Sequence, residues 1–213
     1  MKYLSLMAAA LIAGASTTQA ATFTPADGLD LTRNSTQDAN VVAYSEQSDV
    51  TVAGGAITVD FLVGANLNVG DSSGGVSTFT SGQALGAGTY NSYLVHFDPD
   101  GGGSADATFD FGETIVGLIL SNAASNGGPQ LLNLSDATFG AAGTTYDTHV
   151  GRRTESTDGF ELLSATSLYV DLTTNSNHVD NIRVLTVAAV PVPASLPLLL
   201  AGFGGLAMLR RRR

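Results

Sequence analysis

Apolar and polar residues alternate with a period of two along much of the chain. Ile57, Val59 and Phe61 alternate with Thr58 and Asp60. Tyr93, Val95 and Phe97 share one side of residues 92–97, with His96 on the other, and Phe109 and Phe111 alternate with Thr108 and Asp110. In 179–187, Ile182 and Val184 face away from Asn181 and Arg183. A two-residue period places side chains on opposite faces of a strand. Strands are therefore expected at 41–44, 56–63, 92–97, 108–111, 114–120, 160–163, 167–173 and 179–187. The 114–120 run is nearly all apolar, as in a strand buried on both faces. No convincing amphipathic helix is expected in the body. Segments 69–75, 98–107 and 122–130 are rich in Gly, Ser, Asn and Asp and read as loops. The expectation is an all-β body: a single antiparallel β-sandwich, jelly-roll-like, over residues 21–188, with wet sheet faces keeping it soluble.

The two ends follow a different pattern. Lys2, an apolar run at 4–15 and small residues at Thr18 and Ala20 have the layout of an export signal over residues 1–20, cleaved after Ala20. An N-terminal membrane anchor is the alternative, although the run is shorter than a span requires. At the other end, residues 189–213 carry Val190, Pro191, Val192, Pro193 and Ala194, then an apolar stretch at 196–209, then Arg210, Arg211, Arg212 and Arg213. Each arginine at mid-bilayer costs roughly 2.5–3.5 kcal/mol, so four of them stop transfer. Pro197, Gly202, Gly204 and Gly205 make the stretch a poor permanent helix. Short, interrupted and C-terminal, it has the logic of a tail meant to be exchanged. An ordinary C-terminal anchor is the alternative.

This three-part tail resembles the sorting domain of exosortase substrates, the PEP-CTERM family, in its VPLPA-CTERM variant, with Val192 where that variant has Leu. No Pro-Glu-Pro core is present, which leaves the exosortase subtype open. The resemblance implies passage through the Sec export machinery and a transient hold in the inner membrane of a Gram-negative bacterium. It further implies tail removal by an exosortase and a fate at the cell surface or in an extracellular polysaccharide matrix. The body carries a weaker resemblance. Ser92-Tyr93-Leu94-Val95-His96-Phe97-Asp98-Pro99 is similar to a segment that recurs in extracellular domains of that family. The stretches Ala107-Thr108-Phe109, Ile115-Val116-Gly117-Leu118-Ile119, Leu134-Ser135-Asp136-Ala137 and Asp180-Asn181-Ile182-Arg183-Val184 follow in the family's order. It implies no particular activity.

Charge sharpens this picture. The chain holds 9 Lys+Arg against 19 Asp+Glu. Between the two ends only Arg33, Arg152, Arg153 and Arg183 offset all 19 acids, a net −15. A basic patch for nucleic acid is excluded. With no cysteine, disulfides, thiolate metal sites and a cysteine nucleophile are excluded as well.

Candidate chemistry is sparse. Asp98, Asp100 and Asp106 on a Gly-rich stretch suggest calcium, which wants six to eight oxygens. Gly102 and Phe109 fall where an EF-hand needs ligands, and a plain hairpin loop explains the same residues. Asp180 is a second candidate by analogy with carbohydrate-binding jelly rolls, with Asp27 or Asp30 as partners. Capping a strand or pairing with Arg183 is the alternative. His96, His149 and His178 lack zinc spacing. Asp147 and His149 share a side if 144–150 is a strand. Arg152 and Arg153 with Glu155, Asp158 and Glu161 read as a solvated loop, or as a carboxylate pair for glycoside chemistry. Tyr90, Tyr93, Tyr146 and Tyr169 are candidates to stack on sugars. The functional expectation is a non-enzymatic structural or adhesive protein of the surface or exopolysaccharide matrix, with no catalytic residues and no cofactor other than possible calcium. A carbohydrate-binding module and a secreted glycan-active enzyme are the alternatives.

Overall fold

The structure, a computed structural model, describes residues 23–74, 82–121, 130–148, 152, 154, 157–175 and 178–188. The signal segment, with Ala20, and the sorting tail from Val190 to Arg213 lie outside the described residues. In chain order the elements are β1 (Thr24–Pro25), β2 (Asp30–Leu31), β3 (Asp38–Val52), β4 (Thr58–Val59), β5 (Phe61–Leu62), β6 (Ser72–Gly74) and β7 (Gln83–Ala84). Next come β8 (Gly88–Asp98), β9 (Gly102–Asp110), β10 (Ile115–Ile119) and α1 (Leu131–Phe139). The last four are β11 (Thr145–Tyr146), β12 (Gly159–Leu162), β13 (Ser167–Asn175) and β14 (Asp180–Val187). The described residues are all-β apart from this one short helix. Among the described residues no helix is long and apolar enough to cross a membrane.

Two sheets carry the body. Six strands run in the order β1-β3-β8-β14-β10-β5, and four in the order β6-β12-β13-β9. The long strands pair antiparallel, whereas the two-residue pairings β1–β3 and β2–β11 are parallel. One core joins the two sheets. Val95 and Phe97 of β8, Ile182 and Val184 of β14 and Leu118 of β10 pack with Phe160, Leu162, Leu168, Val170 and Leu172 of β12 and β13. Alternation explains the sidedness: every second residue of each strand enters the shared core, as the sequence pattern of 92–97 and 179–187 anticipates.

Behind the six-stranded sheet lies a second apolar layer. Leu94 packs with Ala26, Leu31 and Tyr44, while Leu185 and Ile119 pack with Val59, Leu85, Leu131, Leu132 and Phe139. The sheet is thus covered on both faces, by its partner sheet on one and by α1 with neighbouring loops on the other. The expected wet face belongs to the four-stranded sheet alone. There Asp106, Thr108, Asp110 and Asp171 are exposed, and their strand neighbours turn inward.

Several expected elements differ. The 56–63 alternation does not make one strand. It breaks between β4 and β5 at Asp60, whose buried carboxylate turns inward to accept the Leu120 N–H at 2.7 Å and the Ser121 N–H at 2.8 Å. The loop expected at 98–107 is mostly strand. Only Pro99 to Gly101 turn, and β9 then pairs in unbroken register with β13 from Gly102 opposite Asn175 to Asp110 opposite Ser167. A regular partner holds Gly-rich residues extended despite their poor propensity. Within 69–75, Ser72–Gly74 form an edge strand on β12. Of 122–130, all but Gln130 lies outside the described residues.

The helix itself was not expected. Gln130 at its N-cap makes no side-chain capping bond, and Gly140 at its end has an extended backbone rather than a left-handed one. Both usual boundary signals are therefore missing. Its buried face, Leu131, Leu132, Ser135 and Phe139, includes a serine because of what lies beneath it.

Candidate functional site

Beneath α1 sits a closed network of charges. Arg183 of β14, which has no exposed surface, donates from Nε and Nη2 to the two oxygens of Glu46, both at 2.7 Å. Its remaining hydrogens go to Asp136 Oδ1 at 2.8 Å, the Leu132 carbonyl at 3.3 Å and Ser135 Oγ. Glu46 also accepts from Ser92 Oγ at 2.6 Å and Tyr146 Oη at 2.7 Å. Glu46 owes its position to a bulge in β3. Ser45 lies opposite Tyr93 and Gln47 opposite Ser92, so Glu46 is the extra residue. Such a bulge re-aims side chains, and both Glu46 and Gln47 reach the helix side, Gln47 donating to the Gly140 carbonyl. Burial alone would lower the Arg183 pKa, but the Glu46 and Asp136 carboxylates outweigh it and hold the guanidinium charged.

Arg152 completes the network. It is fully buried, contrary to the expected solvated loop. It donates to Asp136 at 2.5 and 3.0 Å, and its guanidinium lies 4.8 Å from the Tyr146 ring centre. Its Nε–H points at Asn181, and an arginine can only donate. The amide oxygen therefore faces Arg152 at 3.2 Å and the amide nitrogen donates to His96 Nδ1 at 2.9 Å. Burial, ahead of all other causes, lowers the His96 pKa, and Arg152 adds to it. Two arginines balance two carboxylates, and the protein's own groups occupy most of the polar atoms. This arrangement fastens α1 to the sheet.

The four acids weighed for calcium lie apart. Asp98 ends β8, buried, accepting the Asn34 N–H at 2.7 Å, and burial raises its pKa with help from Asp147. Asp180 is buried opposite Phe97, so it projects toward the shared core while Asp98 projects toward the helix side. Asp106 faces out from β9, opposite Asp171. Asp100 is exposed on the turn. Of the suggested partners, Asp27 accepts the Ala142 N–H and Asp30 binds Thr32. Arg183 pairs with Glu46 and Asp136. Among the described residues no three His, Cys, Asp or Glu side chains are grouped to hold a metal.

Asp100 does border a feature of its own. A groove of about 490 Å³ opens at this end of the body, between the start of β3 and the β8–β9 turn. Asp38, Phe97, Pro99, Asp100, Gly103 and Ser104 line it. The turn depends on Gly101 and Gly102, with φ of +78° and +87°, values that side chains disfavour.

Other candidates disperse. Asp147 is buried and accepts the Arg33 N–H at 3.0 Å, just past the two-residue β11. His149, Arg153 and Glu155 lie outside the described residues. Asp158 is buried and accepts the Thr173 N–H at 2.8 Å, while Glu161 sits on the outer side of β12. Tyr90 is buried. Tyr93 joins Phe23 and Phe111, its ring centre 5.1 and 5.0 Å from theirs, and burial pushes its pKa up to about 12, with Glu113 adding to it. Tyr146 lies under the two arginines. Tyr169 stands on the outer face of the four-stranded sheet, between Glu161 and Thr108 in register. The Glu46–Arg183–Asp136–Arg152 network was not foreseen. Its only sequence signal was an arginine within an otherwise apolar strand, on the side opposite the inward-facing Ile182 and Val184.

Geometry defines the chain as an all-β protein with a charge-locked helix on one side and an open groove at one end. No family model, no curated protein and no solved structure matches it.

Proposed function

We propose that the chain is an exported, non-enzymatic protein of the cell surface or exopolysaccharide matrix, delivered through an exosortase-type tail. The observation that carries this reading is the ordered C-terminal triplet: the Val190–Ala194 motif, an interrupted apolar stretch and four terminal arginines. An N-terminal export signal and a strongly acidic body without cysteine support it. Residues 21–188 are read as a jelly-roll-like sandwich, formed by the two sheets on their common core, and its role as structural or adhesive.

Mass spectrometry of the protein recovered from the surface of producing cells tests the route. The expected mature chain begins at Ala21 and lacks the tail. Surface protein that retains Arg213 would overturn the exosortase step and leave an ordinary anchor.

At net −15 the body repels acidic polymers. Attachment to a matrix then needs either divalent cations as bridges or neutral sugars as ligands. The outer face bearing Asp106, Asp110, Glu161 and Asp171 favours the first of these where the polymer is acidic. Matrix association that falls away in chelator is the expected sign of bridging.

A further inference from the structure

We propose that the groove at the β8–β9 corner is a binding site for a neutral hexose unit of an extracellular glycan. The inference deepens the matrix reading above and rests on it. It starts from why the groove exists. Gly103, Ala105 and Ala107 share a side of β9 by alternation, and Ala105 and Ala107 pack on the common core. One step beyond Ala105, Gly103 has no side chain to fill the space at this end of the body, and Ala39, which also lines it, has little. The resulting space of about 490 Å³ lies in the range typical of small-molecule sites.

The lining has two characters. Pro99 forms an apolar wall, backed by the buried Phe97. Asp100 and Gln37, with the backbone of Gly102 and Gly103, supply polar groups beside it. A pyranose ring has the same division: a face of C–H groups and a rim of hydroxyls. Each carboxylate accepts from more than one hydroxyl, and an amide both donates and accepts. Among the described residues no lysine or arginine lines the groove, so uronic acids and other anionic sugars are disfavoured. A calcium ion would need six to eight oxygens, and the one carboxylate of Asp100 at an open groove is too few.

A glycan array probed with the protein purified in its mature form from producing cells tests this. Neutral hexose oligosaccharides are expected to be retained and uronic-acid oligosaccharides not. Two variants locate the site. A Cβ at Gly103 would meet only Pro99, at 3.7 Å, an ordinary contact, so Gly103→Val fills the groove without disturbing the fold. It is expected to lower affinity for the retained glycan by about tenfold or more, at an unchanged or raised melting temperature. Asp100→Asn, on an exposed turn, is expected to weaken binding several-fold with no change in melting. The proposal is overturned if no neutral glycan is retained, if only uronic-acid glycans are, if binding is lost in chelator, or if it persists undiminished in Gly103→Val. Export and tail removal are read separately from the mass of the mature chain, so either reading can fail without the other.

Discussion

Arg183 reaches across the whole width of β8 to grip Glu46, a residue 137 positions away in the chain. Leu94 of β8 lies opposite Arg183 on one side and Tyr44 on the other, and the β3 bulge sets Glu46 two residues further on, against Ser92. The pair ties β14 to β3, and through Asp136 it ties both to α1.

Removing one partner strands the other charges. Arg183→Met is expected to destabilise the body by about 3–5 kcal/mol, because Glu46 and Asp136 lose their neutralising group in a dry site. Combining it with Glu46→Leu should recover part of that loss. Urea unfolding of both proteins checks this. Equal midpoints for Arg183→Met and the parent would show that the network adds nothing.

His96 makes stability fall with acid. Its folded pKa lies below the ordinary value of 6.5, so the unfolded chain binds the proton more readily. The neutral folded form is at full strength above pH 6.5, and stability is lost as pH drops below that value toward the folded pKa. The slope approaches about 1.4 kcal/mol per pH unit for one proton. Buried Asp60 and Asp98, whose pKa values are raised, act in the opposite sense: acid relieves them, starting from their raised values and continuing toward 3.8. The difference between the parent and His96→Leu isolates the histidine. A difference that stays constant from pH 7 to 5 would refute it.

Asp60 is expected to matter as an acceptor rather than as a charge. Asp60→Ala leaves three donors, two backbone N–H groups and Ser121 Oγ–H, without their partner. A cost of about 3 kcal/mol or more follows. Asp60→Asn keeps one oxygen for both N–H groups, offers an N–H to Ser121 Oγ, and removes a buried charge. It should fall within about 1 kcal/mol of the parent. Thermal melts of the two variants separate these roles.

Reporter fusions check the expected topology before processing. A reporter placed ahead of Pro191 should be active outside the cytoplasm, and one placed behind Arg213 inside it. Cytoplasmic activity from both would remove the export reading.

Period-two alternation determined the inward faces of β8 and β14 at the centre of the six-stranded sheet. Tyr93, Val95, Phe97, Ile182 and Val184 could be assigned from their neighbours alone, because burial on one face imposes that spacing locally. Composition likewise determined the net acidity of the body. Only the tertiary structure decided that the opposite face is buried too, since a helix without capping signals leaves little local trace. The bulge that re-aims Glu46 depends on how β3 registers against β8, which no local pattern encodes. Arg152 reads as a surface residue until α1 and β14 pack over it and bring Asp136 and Asn181 to its guanidinium. Local sequence carries periodicity, whereas pairings between distant charges exist only once the sheets have packed.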